Sequence, residues 1–372
     1  MPPQDLAELY LLSRSLWWRH ELGLLSDQAV SELIKVLRSA RAGIVAQIEA
    51  EAQGLASISE WTRERNDQIS AWIDDVLAGT SASVTSYISE ASVGVALASV
   101  ATYNNILSFD GKAKAVKLVE GLTREQVKQF FQDQPLGGKL LSDWVGNAFS
   151  TGARDSILDA IREGVVMGEG YRKLVKRVMT AADAGFSITQ REATTLVRTY
   201  VQSANTGAQE AVYEQNEGII KGYKRVETLD NRTCRICALA DGTVYGKNEK
   251  RPELPAHPNC RGVWLPLLKS FREIGLNIDE LEEVARPWTI REQGPIGTGG
   301  RKILNFGTTK ENFGGWWESL SAEDKLKTSV GPVRGRLLQE GLVRWEDLSD
   351  KRTGLPYTLE QLGFDEQGNP LR

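Results

Sequence analysis

The sequence predicts a mainly α fold with a small β module, an α+β chain in several parts: a helical N-terminal half, a β-hairpin knuckle and an irregular helical tail. Three observations predict it. Apolar residues recur at three-and-four spacing through much of residues 1–217, the period of one helix face. At Gly218 the pattern changes to β-branched and aromatic residues, in "GIIKGYKRVETLD". The stretch "TCRICALADGTVYGKNEKRPELPAHPNCRG", Thr233 to Gly262, then holds all three cysteines and one of the two histidines.

Length and composition bound the rest. A single core stops growing near ~250–300 residues, so 372 residues imply two or three structural units. With 41% apolar and 25% charged residues and a formal net charge of −4, the chain is neither disordered nor globally basic. The start, "MPPQDLAELYLLSRSLWWRH", lacks the basic and apolar regions of a secretory signal. The best membrane candidate, "ASVGVALASVATYNNIL", falls short of the roughly 20 apolar residues of a spanning helix. The expectation is a soluble protein, cytoplasmic at synthesis, with no membrane association. An odd number of cysteines, two of them spaced C-x-x-C, fits thiolate ligation better than a disulfide framework.

Residues 1–110 form the N-terminal helical region. After Ser26, read as an N-cap, the face runs Val30, Leu33, Leu37, Ala40, Ile44 and Ile48, and Gly54 stops it. A second run carries Trp61, Ile69, Trp72, Ile73 and Val76 and ends at Gly79; a third, rich in small residues, spans Ser81 to about Leu107. The paired Trp17 and Trp18 are either an anchor closing a helical hairpin or an exposed docking patch. Residues 111–217 form the central helical domain. "LTREQVKQFF" opens with a capping box, "PLGG" breaks the chain, and a long helix covers Leu140–Glu163. The last helix opens at Ser187 and Gln190 and presents Ala193, Leu196, Tyr200, Ala204, Ala208 and Ala211 on one face.

Residues 218–268 form the β module. The strand at "GIIKGYKRVETLD" leads into the cysteines, "ADGT" is a turn, "TVYG" a short strand and "RGVWLPL" the closing strand. Residues 269–372 are a linker and accessory tail: a short helix near Asp279–Ala285, the linker "REQGPIGTGGRK", and weak helices carrying Trp316, Trp317, Leu337 and Leu338.

The chemistry sits in the module. Cys234 and Cys237 are C-x-x-C, His257 and Cys260 are H-x-x-C, and 19 residues separate the pairs, enough for a hairpin to bring them together. Two ligands two residues apart span one edge of a tetrahedron, so two such knuckles complete a shell. Three thiolates and an imidazole suit zinc. With four protein ligands the shell is closed, which makes the zinc structural and the module zinc-bound. A zinc-braced nuclease needs further histidines, and the only other one, His20, lies more than two hundred residues away. The deaminase signature, with a glutamate beside a histidine upstream of P-C-x-x-C, is also missing. "GPIGTGGRK" lacks P-loop spacing and reads as a linker, and the acid pairs Asp74–Asp75 and Glu282–Glu283 read as solvated faces.

Together, "KGYKRVETLDNRTCRICALADGTVY" and "LPAHPNCRG" resemble the C-terminal signature of the phage head-morphogenesis proteins, the minor head proteins similar to phage Mu protein F. The helix "ATTLVRTYVQSANTGAQEAVY" ahead of them and "WWESLSAEDKLKTSVGPVRGRLL" and "YTLEQLG" behind them extend the resemblance over roughly residues 120–362. Many relatives carry a further cysteine two residues after H-P-N-C, where this chain has Gly262, so His257 becomes the fourth ligand. The resemblance implies a minor structural protein of a tailed-phage head with no enzymatic activity. It implies association with the portal and with head assembly or DNA delivery, in packaging or ejection. The expectation is co-assembly with the portal or major capsid protein in the host cytoplasm and a final place in the interior of the virion head.

A second reading is a zinc-braced module binding packaged double-stranded DNA nonspecifically. Residues 218–262 carry nine Lys/Arg against five Asp/Glu, and Arg232, Arg235 and Arg261 sit beside ligands, where they can meet phosphates. The competing reading of these arginines is salt bridges with Asp230, Glu227 or Asp241.

Overall fold

The computed structural model describes residues 4–53, 63–109, 111, 116–120, 123–133, 140–167, 169, 171–269, 285–291, 303–350, 353 and 355–371. Trp61, residues 279–284 and residues 292–302, on which a helix and a linker were expected, lie outside the described residues. The chain is mainly helical, with a minor β region. Three helices are long: α1 (Gln4–Gln53), α2 (Arg63–Leu107) and α6 (Tyr171–Gln215). Between them come α3 (Arg124–Asp133), α4 (Leu141–Ala148), a π-helical turn (Phe149–Arg154) and α5 (Asp155–Val166). The four sequence pieces bounded at 110, 217 and 268 are divisions along the chain. In space the chain forms two compact units: Leu22–Leu97 with Leu122–Ala204, and Met1–Glu21 with Ala98–Gly121 and Asn205–Arg372.

Several expected helix boundaries do not exist. Ser26 is buried inside α1, Gly79 lies inside α2, and Ser187 lies inside α6. A serine or a lone glycine marks an end only if the chain turns there. A continuous buried face outweighs a penalty of about 1 kcal/mol for one mid-helix glycine. The box at Thr123 is a true cap: the Gln126 backbone N–H donates to Thr123 Oγ1 (3.2 Å), and the Thr123 N–H donates to Gln126 Oε1 (2.9 Å). Among the described residues, Asp67–Leu107 of α2 is by length and composition alone long and apolar enough to cross a membrane, and half of its apolar 18-residue window is buried within the protein.

In the unit of Leu22–Leu97 and Leu122–Ala204, the predicted α1 face is buried at Val30, Leu33, Leu37, Ile44 and Ile48, and α2 buries Ile69, Ile73, Leu77, Val84 and Ile88. The long helix expected over Leu140–Glu163 is interrupted by the π-turn. There α6 approaches backbone to backbone: a Cβ on Gly185 would lie 2.6 Å from the Gly152 carbonyl oxygen, and one on Gly152 would lie 3.0 Å from that of Gly185. The Thr189 hydroxyl donates to the carbonyl of Ala148 (3.0 Å), beside the turn. Gly185→Ala is therefore expected to destabilise this unit by about 1–3 kcal/mol. Gly79→Ala, where a new Cβ meets nothing within 4 Å, should stabilise by about 0.5–1 kcal/mol. Thermal unfolding of the two variants should move in opposite directions.

In the other unit, the end of α6 holds the β module. Sheet one has the order β3 (Val244–Gly246), β1 (Ile220–Val226), β4 (Val263–Leu268), all antiparallel, with Tyr223 opposite Tyr245 and Pro266. Gln209 of α6 accepts from the Trp264 N–H (3.4 Å) and donates to the Trp264 carbonyl (2.9 Å), so a side-chain amide takes the place of a neighbouring strand. Asn104 and Asn216 make the same paired contact with Val119 and Lys117, securing residues 116–120. The tryptophan pair divides its roles. Trp18 is 6% exposed and donates to Asn205 (2.9 Å), while Trp17 is 50% exposed.

The segment read as an irregular helical tail contributes strands as well. Sheet two joins β2 (Leu229–Asp230) in parallel to β5 (Arg286–Arg291), which pairs antiparallel with β6 (Ile303–Thr309). Helix α8 (Phe313–Ser319) follows, then α9 (Ala322–Leu326) and α10 (Pro332–Gln339). Phe313, Trp316, Trp317, Leu320 and Val330 form one core with Leu229, Ala238 and Ile290. The "weak" helices are thus short because they are held by a shared core rather than by their own periodicity.

Candidate metal centre

Local chemistry builds two knuckles on sheet one. Cys234 is the N-cap of α7 (Arg235–Ala240), and its sulfur accepts the Cys237 backbone N–H at 3.5 Å. That turn places both sulfurs on one side. In H-P-N-C, Asn259 adopts φ 60°, the left-handed region asparagine tolerates, and the Cys260 N–H closes the turn on the His257 carbonyl (3.1 Å). Between the knuckles, "ADGT" turns as expected, with Gly242 at φ 83°.

The knuckles meet. His257 Nε2 lies 3.0 Å from Cys234 Sγ and 3.1 Å from Cys237 Sγ, and Cys237 Sγ lies 3.8 Å from Cys260 Sγ. The ligand atoms of Cys234, Cys237 and His257 all lie within 4.8 Å of one another, a set that can coordinate a metal ion; Cys260 stands beside this set through Cys237. A tetrahedral site with Zn–S of ~2.3 Å has an S–S edge of about 3.8 Å, so the Cys237–Cys260 separation fits. For His257 the same arithmetic gives an N–S edge of about 3.5 Å, so at 3.0 and 3.1 Å its Nε2 sits closer to the sulfurs than in a tetrahedral shell. Its Nδ1, 2.8 Å from the Pro258 carbonyl, is oriented by that outer partner. Mutual hydrogen bonding holds the Cys234 thiol down at about 4, and bonding to Cys237 holds Cys260 at about 5. Hydrogen bonding to Cys234 raises His257 to about 9. The same bonding to Cys234 and Cys260 pushes the Cys237 thiol well above its ordinary value. Since a metal requires every thiolate and a neutral imidazole, its binding would release the Cys237 and His257 protons.

Around the sulfurs lies a buried ionic layer that sequence reasoning missed. Arg225 of β1 donates through Nε to Glu227 (2.6 Å), and both side chains are almost wholly buried. Asp241, after α7, accepts from the backbone N–H groups of Glu227 (2.7 Å) and Phe313 (2.6 Å) and from both terminal nitrogens of Arg286. Tyr223, Arg225 and Val226 of β1 are all buried, and nothing in "YKRVE" says that an ion pair lies among them.

The three arginines considered for DNA have these positions. Arg261 makes a two-pronged contact with Asp230, both at 2.7 Å, and remains 32% exposed; Arg232 lies 3.4 Å from the same carboxylate and is 47% exposed. Arg235 donates to the Ser329 carbonyl at 3.2 Å. Against the cost of burial, Arg261 holds Asp230 well below its ordinary value. A depressed folded pKa gives stability that is complete above the ordinary aspartate value near ~3.9 and is lost as pH falls through the folded value. The stability difference between the natural chain and Asp230→Asn should therefore be flat from neutral pH down to about 4 and shrink below it. Protonation of the cysteine and histidine ligands is common to both chains and cancels in that difference, which unfolding titrations at each pH would measure.

Elsewhere, a groove of about 800 Å³ in the helical unit is lined by residues including Leu77, Ala82, Leu141 and Phe149. Its ionic residues are already paired, Arg154 with Asp74 and Lys128 with Glu90.

Against known families, residues 155–265 match the model described as Phage Mu protein F like protein. The match runs from α5 through β1 into β4 and contains all four cysteine and histidine positions. It is a partial match, consistent with a phage morphogenesis-related family and with a non-catalytic structural role. The resemblance of residues 316–362 lies beyond it. No curated protein and no solved structure shows a significant match to the chain.

Proposed function

We propose that this chain is a minor structural protein of a tailed-phage head, acting in procapsid morphogenesis in association with the portal or major capsid protein. In this reading it is made in the host cytoplasm and comes to rest inside the head. One structural zinc, held by Cys234, Cys237, His257 and Cys260, braces the β module. The observation that carries the reading is the coincidence of the family match with the ligand cluster: residues 155–265 enclose both knuckles. A zinc there supplies no reaction; it substitutes for core in a small sheet. The surrounding residues hold and shield the ligands, and the long helices supply surface for a partner. Two of the three arginines considered for DNA, Arg261 and Arg232, lie against Asp230, which favours assembly over DNA binding as the primary role.

Co-expression of the full chain with portal and major capsid protein tests this. Purified procapsids should retain the chain, and it should resist added protease. Recovery of the chain only in the soluble fraction at every stage of assembly would refute the proposal.

A further inference from the structure

Arg225 is the buried group that the zinc reading leaves unexplained. Its Nη2 lies 3.7 Å from Cys237 Sγ and 3.9 Å from Cys260 Sγ, hydrogen-bond distances for sulfur. Its Nε is held by Glu227 at 2.6 Å, and its guanidinium lies 5.4 Å from the centre of the Trp264 ring. The fork therefore has one fixed orientation, with a terminal nitrogen at the edge between the two sulfurs. Gly262 makes room for it. A Cβ at that position would lie 2.2 Å from Glu227 Oε1 and 2.7 Å from Arg225 Nη2, so any side chain there would displace the pair.

We propose that Arg225, oriented by Glu227, is a positioning residue of the metal site that bridges the sulfurs of Cys237 and Cys260 and makes them less reactive. The proposal rests on the zinc reading of the cluster. A metal-bound thiolate keeps lone pairs, and a charged donor on those lone pairs withdraws electron density and lowers nucleophilicity toward electrophiles. The same contact holds the sulfurs at the separation one tetrahedral ion needs. An ion pair buried for packing alone would not have to point a donor at two ligand atoms.

The test uses the full chain and three variants: Arg225→Met with Glu227→Leu, which removes both charges together; Arg225→Lys; and Gly262→Ala, which crowds the pair while leaving all ligands intact. Zinc affinity is read by competition with a chromophoric chelator, thiolate reactivity by alkylation of the zinc-loaded chain with N-ethylmaleimide, and ligand donation by the sulfur-to-metal charge-transfer band of the cobalt(II) form. The double variant should lose about 10–100-fold in zinc affinity, alkylate faster and shift the cobalt band. Arg225→Lys should restore part of each change, and Gly262→Ala should move all three readouts in the direction of the double variant. If the double variant does not fold, Arg225→Lys and Gly262→Ala carry the test. Folded variants with unchanged affinity, alkylation rate and cobalt spectrum would overturn the positioning role and leave the zinc reading standing. A natural chain that takes up neither zinc nor cobalt would instead overturn the zinc reading itself.

Discussion

Cys237→Ser is expected to abolish metal binding and unfold the sheet of β3, β1 and β4, while α1, α2 and α6 remain helical. Cys237 is buried and is the one ligand in contact with both His257 and Cys260. Structural zinc contributes on the order of 10–16 kcal/mol in zinc-finger peptides, comparable to the net stability of a whole domain, roughly 5–15 kcal/mol. The strands are seven, three and six residues long, and the ligands lie in the turns after β1 and before β4, so a metal there would tie the two longer strands together at one end. Elemental analysis should fall from one zinc per chain to none, and amide protection should disappear from residues 220–226 and 263–268. Chelator treatment of the natural chain should do the same. Protection that survives both treatments would count against a structural metal.

Asp241→Ala should separate the two sheets. Its carboxylate is fully buried and joins three segments distant in sequence: Glu227 at the end of β1, Arg286 at the start of β5, and Phe313 at the start of α8. Removing it leaves a buried guanidinium and two backbone N–H groups without that partner. Breaking a buried charge pair from one side costs about 3–5 kcal/mol. The denaturant midpoint should fall accordingly, and residues 303–371 should become cleavable by protease before the long helices do. A loss below about 1 kcal/mol, within the range of ordinary surface substitutions, would mean that the shared core of Leu229, Phe313 and Trp316 suffices alone. Asp241→Asn retains the shape and one acceptor oxygen, so it should fall between the two.

The sequence by itself determined the local features. The 3.6 period located the helices, because it depends on which face of an element is apolar, and β-branched and aromatic composition located the strands of the first sheet. Ligand spacing predicted both knuckles: C-x-x-C and H-x-x-C are turns whose geometry is set within four residues. The capping box at Thr123 and the turn at "ADGT" were legible for the same reason. Only the tertiary structure decided the rest. Ser26, Gly79 and Ser187 carry end signals but lie within continuous helices, since burial along a whole face exceeds the energy of a single cap. Sheet two was not legible, because β2 has two residues and its partner β5 begins more than fifty residues later. A salt bridge to Asp230 was one of the two readings of Arg232 and Arg261, and the structure forms it; the pairing of Arg225 with Glu227 and of Arg286 with Asp241 depends on distance in space. A charge in a sequence carries no mark of whether it faces water or a partner, and a low-dielectric interior makes that difference worth several kcal/mol.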